Sequence, residues 1–311
     1  MIPVYNRVTY LERTLRSVLS QDPGAEEMQI EVVDDASSLG DPEALVRRVG
    51  GERVDFVRQP RRLGGIANWN SCIERSLGEW VHILHSDDVV FPGFYRCLKA
   101  GLEGRDDVGA AFCRYAHIDE NERWRAISEL ERPTPGVLAG FIYKIGARCR
   151  IQCASMVVRR SVYEKLGGFR TELSYAADWE MWVRIAAHYP VWYEPATLAA
   201  FRKHSTSWTV AFVRSAEDVV NERRCIAVIR QLLPPDQAES VSRKARENVA
   251  HLALSNAYDA LGKGEFTAVL KQVWEGLKCS ASPRVVIRAI LLLPGWIARH
   301  VMRSAFTAGK R

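Results

Sequence analysis

The sequence has no Cys-x-x-Cys pair, no internal repeat and no low-complexity tract, and no apolar run reaches the roughly 20 residues that a helix needs to cross a bilayer. Its seven cysteines (Cys72, Cys97, Cys113, Cys149, Cys153, Cys225 and Cys279) are odd in number, which excludes a disulfide framework. A zinc ribbon is excluded with it, and reduced thiols in a cytoplasm are expected. The longest apolar stretch, 285–293, is interrupted by Arg288 and closed by Pro294. No leader pattern opens the chain. With 47% hydrophobic and 26% charged residues, disorder, a collagen and a polytopic membrane protein are also ruled out. The 311 residues suffice for one large or two modest domains.

The net charge of +6 is unevenly placed. Residues 211–311 hold 16 basic and 9 acidic side chains, whereas residues 1–210 hold 27 and 28. A nucleic-acid partner is therefore not expected, because the larger part of the chain is slightly acidic.

The first half alternates strand and helix signals. Met1-Ile2-Pro3-Val4-Tyr5 reads as the end of a buried strand, one that is either unusually short or begins upstream. Thr9-x-x-Glu12 reads as a capping box before a helix whose Leu11, Leu15, Val18 and Leu19 share a face. A β-branched strand over 30–33 ends in Asp34-Asp35. Asp41-Pro42 puts an N-cap and an N1 proline at the head of a helix to residue 49. Next come a strand over 54–57, a helix over 65–77, and a strand over 80–84 that runs into His85-Ser86-Asp87-Asp88. A helix over 92–101 and a strand over 109–115 follow. Residues 129–146 read as an irregular loop or lid, 153–159 as a strand, 161–166 and 178–189 as helices, and 198–201 as a strand. Beyond about 212 only helical patterns remain. The expected architecture is α/β, a doubly wound and mostly parallel sheet in residues 1–210 with a helical C-terminal region in 211–311.

In such sheets ligands bind outside the carboxyl ends of the strands, where both acidic pairs fall. Asp34-Asp35 and Asp87-Asp88 read either as loop acids that cap turns or as holders of a divalent cation. Mn²⁺ or Mg²⁺ takes one or two carboxylates plus substrate phosphates, and so neutralises a diphosphate that is to leave.

The run Ile2-Pro3-Val4-Tyr5-Asn6-Arg7, then Val32-Val33-Asp34-Asp35-Ala36-Ser37, then Leu84-His85-Ser86-Asp87-Asp88 resembles a family-2 glycosyltransferase with the GT-A fold. Further segments match in order: Leu63-Gly64-Gly65-Ile66-Ala67-Asn68-Trp69-Asn70, Gly78-Glu79-Trp80, Leu166-Gly167-Gly168-Phe169, Asp178-Trp179-Glu180-Met181-Trp182 and Phe201-Arg202-Lys203-His204-Ser205. Together they span about two-thirds of the chain.

The resemblance implies an inverting, metal-dependent transfer of a sugar from a nucleoside-diphosphate sugar to a hydroxyl acceptor, in cell-surface glycan synthesis on a lipid-linked precursor. Pro3 and Tyr5 would wall the base pocket, Asp35 would accept from the base, and Asp87 would contact ribose or donor sugar. Asp88 would ligate Mn²⁺ or Mg²⁺, His204 would reach the metal or diphosphate, and Arg202 would pair with the diphosphate. His85 departs from the commonest form, which has an acid there, and reads as a spacer or as a group that supports the ligands from behind. Asp178 would be the general base, and an N-cap is the competing reading for it. Glu180 reads as structural. Tyr5 could equally be a core aromatic and His204 a surface histidine. Arg61 and Arg62 read as diphosphate partners or solvated charge. A sugar nucleotidyltransferase is the alternative enzyme, but Ile2–Arg7 lacks the glycines of its N-terminal loop. A non-catalytic relative would have no use for Asp35, Asp87, Asp88 and Asp178 together.

After Glu275 there is no acidic residue, but there are seven basic ones: Lys278, Arg284, Arg288, Arg299, Arg303, Lys310 and Arg311. Apolar residues lie between them, with Trp296 and a break at Pro294. The pattern reads as interfacial helices on an anionic membrane surface, which would make the enzyme peripheral on the inner face of the cell membrane. Packing of the same apolar face on protein is the other reading.

Overall fold

The structure, a computed structural model, describes residues 1–292. The chain divides into two compact units. The first comprises Met1–Ile145 and Cys149–His204, the second Gly146–Arg148 and the residues from Ser205 on.

In the first unit the elements run β1 (Ile2–Val4), α1 (Leu11–Leu19), β2 (Glu31–Asp34), α2 (Pro42–Gly50), β3 (Asp55–Arg58), α3 (Gly65–Arg75), β4 (Trp80–His82), β5 (Val89–Val90) and α4 (Phe94–Leu102). Then follow β6 (Ala110–Ile118), β7 (Trp124–Ile127), β8 (Gly136–Val137), α5 (Phe141–Ala147), β9 (Met156–Arg159), α6 (Arg160–Leu166), α7 (Ala177–His188) and β10 (Val191–Arg202). Strands β1, β2 and β3 pair in parallel. The rest are ordered β4-β9-β6-β10-β5, with β6 and β10 parallel and β9 antiparallel to both its neighbours. The Leu84 amide donates to the Met1 carbonyl at 3.0 Å, so β1 lies beside the chain leaving β4. The sheet is thus mixed, parallel at its N-terminal end, with helices carrying Leu11, Leu15, Val46, Phe94 and Leu98 into its core.

Several expectations are corrected in detail. The capping box does not form: Tyr10 stands at the N-cap of α1 with no side-chain bond, and Glu12 faces Arg16 at 2.8 Å and Arg48 at 2.9 Å. Asp41 does cap α2, accepting from the Ala44 amide at 2.9 Å. The 129–146 stretch is not wholly irregular, since it contains β8 and most of α5. Strand β10 begins at Val191, well before the alternation read at 198–201. Pro195 and register shifts between Glu194 and Ala199 interrupt its period of two.

The second unit holds α8 (Trp208–Ser215), α9 (Glu217–Ile229), α10 (Pro235–Lys263), α11 (Phe266–Cys279) and a helix over 283–292. Small residues line the α10 face that meets α11, and a Cβ on Gly276 would stand 3.0 Å from the Ala253 Cβ. Buried Asp218 accepts from Gln272 at 2.8 Å and Asn256 at 3.1 Å, joining α9, α10 and α11. Among the described residues no helix is long and apolar enough to cross a membrane. Of the basic residues read as membrane-facing, Arg299, Arg303, Lys310 and Arg311 lie outside the described residues, as does Trp296.

Candidate active site

The site is assembled at the carboxyl ends of β1, β2, β4 and β10. Pairing of Val4 with Asp34 carries the chain into Tyr5 and Asp35 side by side, and the Asp35 amide donates to the Val4 carbonyl at 2.9 Å. Asn6 adopts a left-handed φ of 52°, a region that asparagine tolerates better than most residues. Its side-chain oxygen accepts from the Ser38 and Leu39 amides at 2.7 and 3.0 Å, fixing the loop after β2.

The two acids after β2 have distinct surroundings. Asp34 is fully buried and bound to Arg58 Nε at 2.7 Å and to the Ser37 hydroxyl. Asp35 accepts from the Leu63 and Gly64 amides at 2.6 and 3.0 Å, and so holds the loop before α3. Gly64 opens α3 at a φ of 95°, open to glycine without strain. The same loop carries Arg62, whose guanidinium lies 4.3 Å over the Tyr5 ring.

Beyond β4, His85, Asp87 and Asp88 bring one ligand atom each to within 4.8 Å of the others. Asp87 Oδ2 accepts from Arg7 Nη1 at 2.9 Å and from His204 Nε2 at 3.0 Å. Burial opposes its charge, but the His204 hydrogen bond and the nearby His85 and Arg7 charges hold the carboxyl below the usual range. Asp88 is the reverse case. Burial, and then the charge of Asp87, push its carboxyl well above that range, although the Arg202 amide donates to Oδ1 at 2.9 Å. Two adjacent carboxyls thus have opposite tendencies, which is the state a cation relieves.

His85, read as a spacer or a supporting group, stands in the same group as the two acids. Its ring stacks on Trp69 at 4.6 Å, its Nδ1 is 3.8 Å from Asp88 Oδ2, and its Nε2 is buried without a hydrogen-bond partner. Two carboxylates and an imidazole whose Nε2 is orphaned fit a hard-to-borderline divalent cation such as Mn²⁺ or Mg²⁺.

Arg202 is buried and its nitrogens are engaged. Nε donates to the Asp87 carbonyl at 2.8 Å, Nη1 to the Asp119 carbonyl at 3.3 Å and Nη2 to Glu122 at 3.1 Å. It fastens the acidic turn to β10, rather than standing open as the expected diphosphate partner. The fully buried Thr14 hydroxyl holds the same turn from α1, donating to the Asp88 carbonyl at 2.8 Å.

Asp178 lies in the first turn of α7 but is not its N-cap, a position held by Ala176. Its Oδ1 accepts from the Trp179 amide at 2.7 Å. Burial pushes its carboxyl up to about 6 against that hydrogen bond. The charges of Asp178 and Asp88 both act on the buried Cys153 thiol, which places the two acids within electrostatic reach of one group. Glu180 is different: fully buried, it binds Arg170 at 3.2 Å and Arg184 at 2.8 Å, while Arg184 also grips the Leu166 and Gly168 carbonyls. Asn70 bridges both backbone groups of Phe169, at 2.9 and 2.7 Å, and so joins two of the matched segments.

Sequence reasoning missed Arg7, Thr14 and Trp69. Arg7 closes the matched segment over 2–7, three residues beyond the end of β1, and that place is the signal that could have marked it.

Comparison with known proteins bears on the family and the fold. The family model of glycosyl transferase family 2 matches residues 1–167. An uncharacterized protein of Mycobacterium tuberculosis is 27% identical over 255 residues, covering 78% of each chain. The crystal structure of S. aureus TarS 1–349 in complex with UDP-GlcNAc has a TM-score of 0.59 at 15% identity, covering 89% of this chain and 90% of that one. The mannosyltransferase PcManGT from Pyrobaculum calidifontis, in complex with GDP-Man and Mn²⁺, has a TM-score of 0.54 at 19% identity, covering 93% and 85%. These two likenesses establish the GT-A fold. With its family model spanning more than half of the sequence and all the strand ends at β1, β2 and β4, the chain belongs to glycosyl transferase family 2 and is a glycosyltransferase.

Proposed function

We propose that the enzyme is inverting and metal-dependent, moving a sugar from a nucleoside-diphosphate sugar to a hydroxyl acceptor. The observation that carries this reading is the pairing of a cation-type group, His85, Asp87 and Asp88, with a separately tuned carboxyl, Asp178. A base near 6 is ionised at neutral pH yet still basic enough to take a proton as it leaves.

In this reading Asp178 accepts the acceptor's hydroxyl proton while that oxygen bonds to the anomeric carbon. The bond from that carbon to the diphosphate oxygen breaks, and its electron pair departs with the diphosphate. A bound Mn²⁺ or Mg²⁺ supplies neutralisation of the diphosphate charge. Asp88 would hold it beside His85 and Asp87, with His204 as a further ligand reaching from the end of β10. Pro3 and Tyr5 wall the base pocket, Arg62 covers the Tyr5 face, Asp35 sets the loop and accepts from the base, and Asp87 meets ribose or sugar. Arg202 serves the donor by positioning the Asp87 backbone. The UDP-GlcNAc and GDP-Man held by the two structural neighbours support a nucleoside-diphosphate sugar as donor, and the Mn²⁺ of the second supports the cation. We assign the acceptor to a lipid-linked glycan precursor at the cytoplasmic face of a membrane.

The test is product analysis with uridine, guanosine and thymidine diphosphate sugars, with and without Mn²⁺, reading the anomeric configuration by NMR. Inverted product formed only with the cation is expected. Retained configuration, or full turnover in chelator, would overturn the assignment.

A further inference from the structure

The helical unit carries an exposed surface that sugar transfer does not use. On α11, Leu270, Lys271, Trp274 and Lys278 fall on one helix face, with Leu270 61% and Trp274 64% exposed. On the helix over 283–292, Arg284, Ile287, Arg288 and Leu291 do the same, with Ile287 58% and Leu291 70% exposed. Each helix also has its own packed side: Ala268, Val269, Gln272 and Gly276 in the first, and Val285, Ala289 and Leu292 in the second. The exposed stripes are therefore surplus to folding.

An ordinary surface helix is polar opposite its core. Both stripes here interleave large apolar and basic side chains without an acid. Glu275, the last acidic residue of the sequence, is drawn into pairs with Arg223 at 2.8 Å and Lys278 at 2.6 Å. The Lys278 ammonium in turn lies 5.1 Å from the centroid of the Trp274 ring.

We propose that these stripes rest on an anionic lipid bilayer, with Leu270, Trp274, Ile287 and Leu291 at the headgroup boundary and Lys271, Arg284 and Arg288 against lipid phosphates. Charge sign selects this occupant. The sequence adds four more cations and no anion after residue 292. Apolar residues and cations together on each exposed stripe match a bilayer interface, where apolar depth and negative charge coincide. Tryptophan favours the same boundary. The proposed lipid-linked acceptor gives this contact its use, and the inference rests on that reading only to that extent.

The experiment is flotation of the full chain with vesicles of phosphatidylcholine alone or mixed with phosphatidylglycerol, at low and high salt, with binding of a nucleoside diphosphate plus Mn²⁺ measured in parallel. Wild type is expected to float with anionic vesicles only, and less at high salt. Arg284→Gln/Arg288→Gln should partition about 25-fold more weakly, on roughly fivefold per basic residue near an anionic leaflet. Trp274→Ser/Leu291→Ser should lose flotation and keep nucleotide binding. No flotation by wild type, equal flotation on neutral vesicles, or undiminished flotation of the serine variant overturns the proposal. So does a wild-type dimer that never floats and that the serine variant makes monomeric, since it gives the face to a second copy. Failure of the transferase reading shows separately, as absent nucleotide binding by a chain that still floats.

Discussion

Asp178→Asn exchanges a carboxylate for a nearly isosteric amide and separates the catalytic from the structural consequences of that position. Burial raises the carboxyl from 3.8 to about 6. The folded state thus binds the proton more tightly than the unfolded chain does. Its contribution to stability is full below the unfolded value of 3.8 and is lost as pH rises through about 6. At pH 7.5 the ionised group costs at most about 3 kcal/mol, from about 1.4 kcal/mol for each tenfold change in proton affinity. Asparagine carries no charge to desolvate, so the variant should melt higher than wild type at pH 7.5, by about 2–4 °C for each kcal/mol recovered. Near pH 4.5 the gain should shrink to about a third of that, vanishing only below 3.8. Transfer should fall about 10²–10⁴-fold, because the amide cannot take the proton. In wild type, kcat/KM should rise with pH through about 6 and then level off, a limb that the variant's residual activity lacks. The assays are calorimetry at the two pH values and a pH–rate profile of both proteins. Near-normal turnover would move the base elsewhere, and a stability change independent of pH would refute the account of a buried charge.

Asp88→Ala should abolish metal-dependent binding of a nucleoside diphosphate while leaving the fold intact, as titration calorimetry and circular dichroism would show. Arg202→Met should lower stability by about 1–3 kcal/mol, because the half-buried Asp87 and Asp119 carbonyls lose their donor. A denaturant midpoint unchanged from wild type, with only nucleotide affinity reduced, would restore Arg202 as a direct diphosphate partner. Gly168→Ala would put a Cβ 2.4 Å from Asn70 Oδ1 and should cost about 1–3 kcal/mol by urea unfolding, through loss of the Asn70–Phe169 bridge.

The alternation of the first half was legible because hydrophobic period and caps agree there. Asp41-Pro42 marks α2, and β-branched runs mark β2 and β3. What escaped was structure with little local signal. Strands β5 and β8 are two residues each and exist only through their ladders with β10. Thr9-x-x-Glu12 misled for a related reason. A capping box is a local bond, and here Glu12 finds arginines on α1 and α2 while Tyr10 takes the N-cap. Tertiary partners outbid a weak local one.

Spacing names which side chains reach a strand end but not which way they point once there. Arg202 and His204 sit two residues apart at the end of β10, and the sequence reads the first as a diphosphate partner and the second as reaching the metal or diphosphate. The structure separates them. His204 turns to the Asp87 carboxylate at 3.0 Å, while Arg202 turns under the acidic turn and spends its nitrogens on the Asp87 and Asp119 carbonyls and on Glu122. Its burial beside Tyr10, 4.7 Å from the ring centroid, makes that orientation the stable one, since a buried guanidinium must fill its donors. A guanidinium with a donor from each of its three nitrogens spent beneath the acidic turn holds that turn in place. The same logic explains His85. A stacking partner, Trp69, sixteen positions earlier on α3 fixes the ring beside Asp88, and no local pattern in Leu84-His85-Ser86-Asp87-Asp88 announces it. The chemistry-bearing residue types were written in the sequence, and the partners each of them finds were decided by packing from α1, α3 and β10.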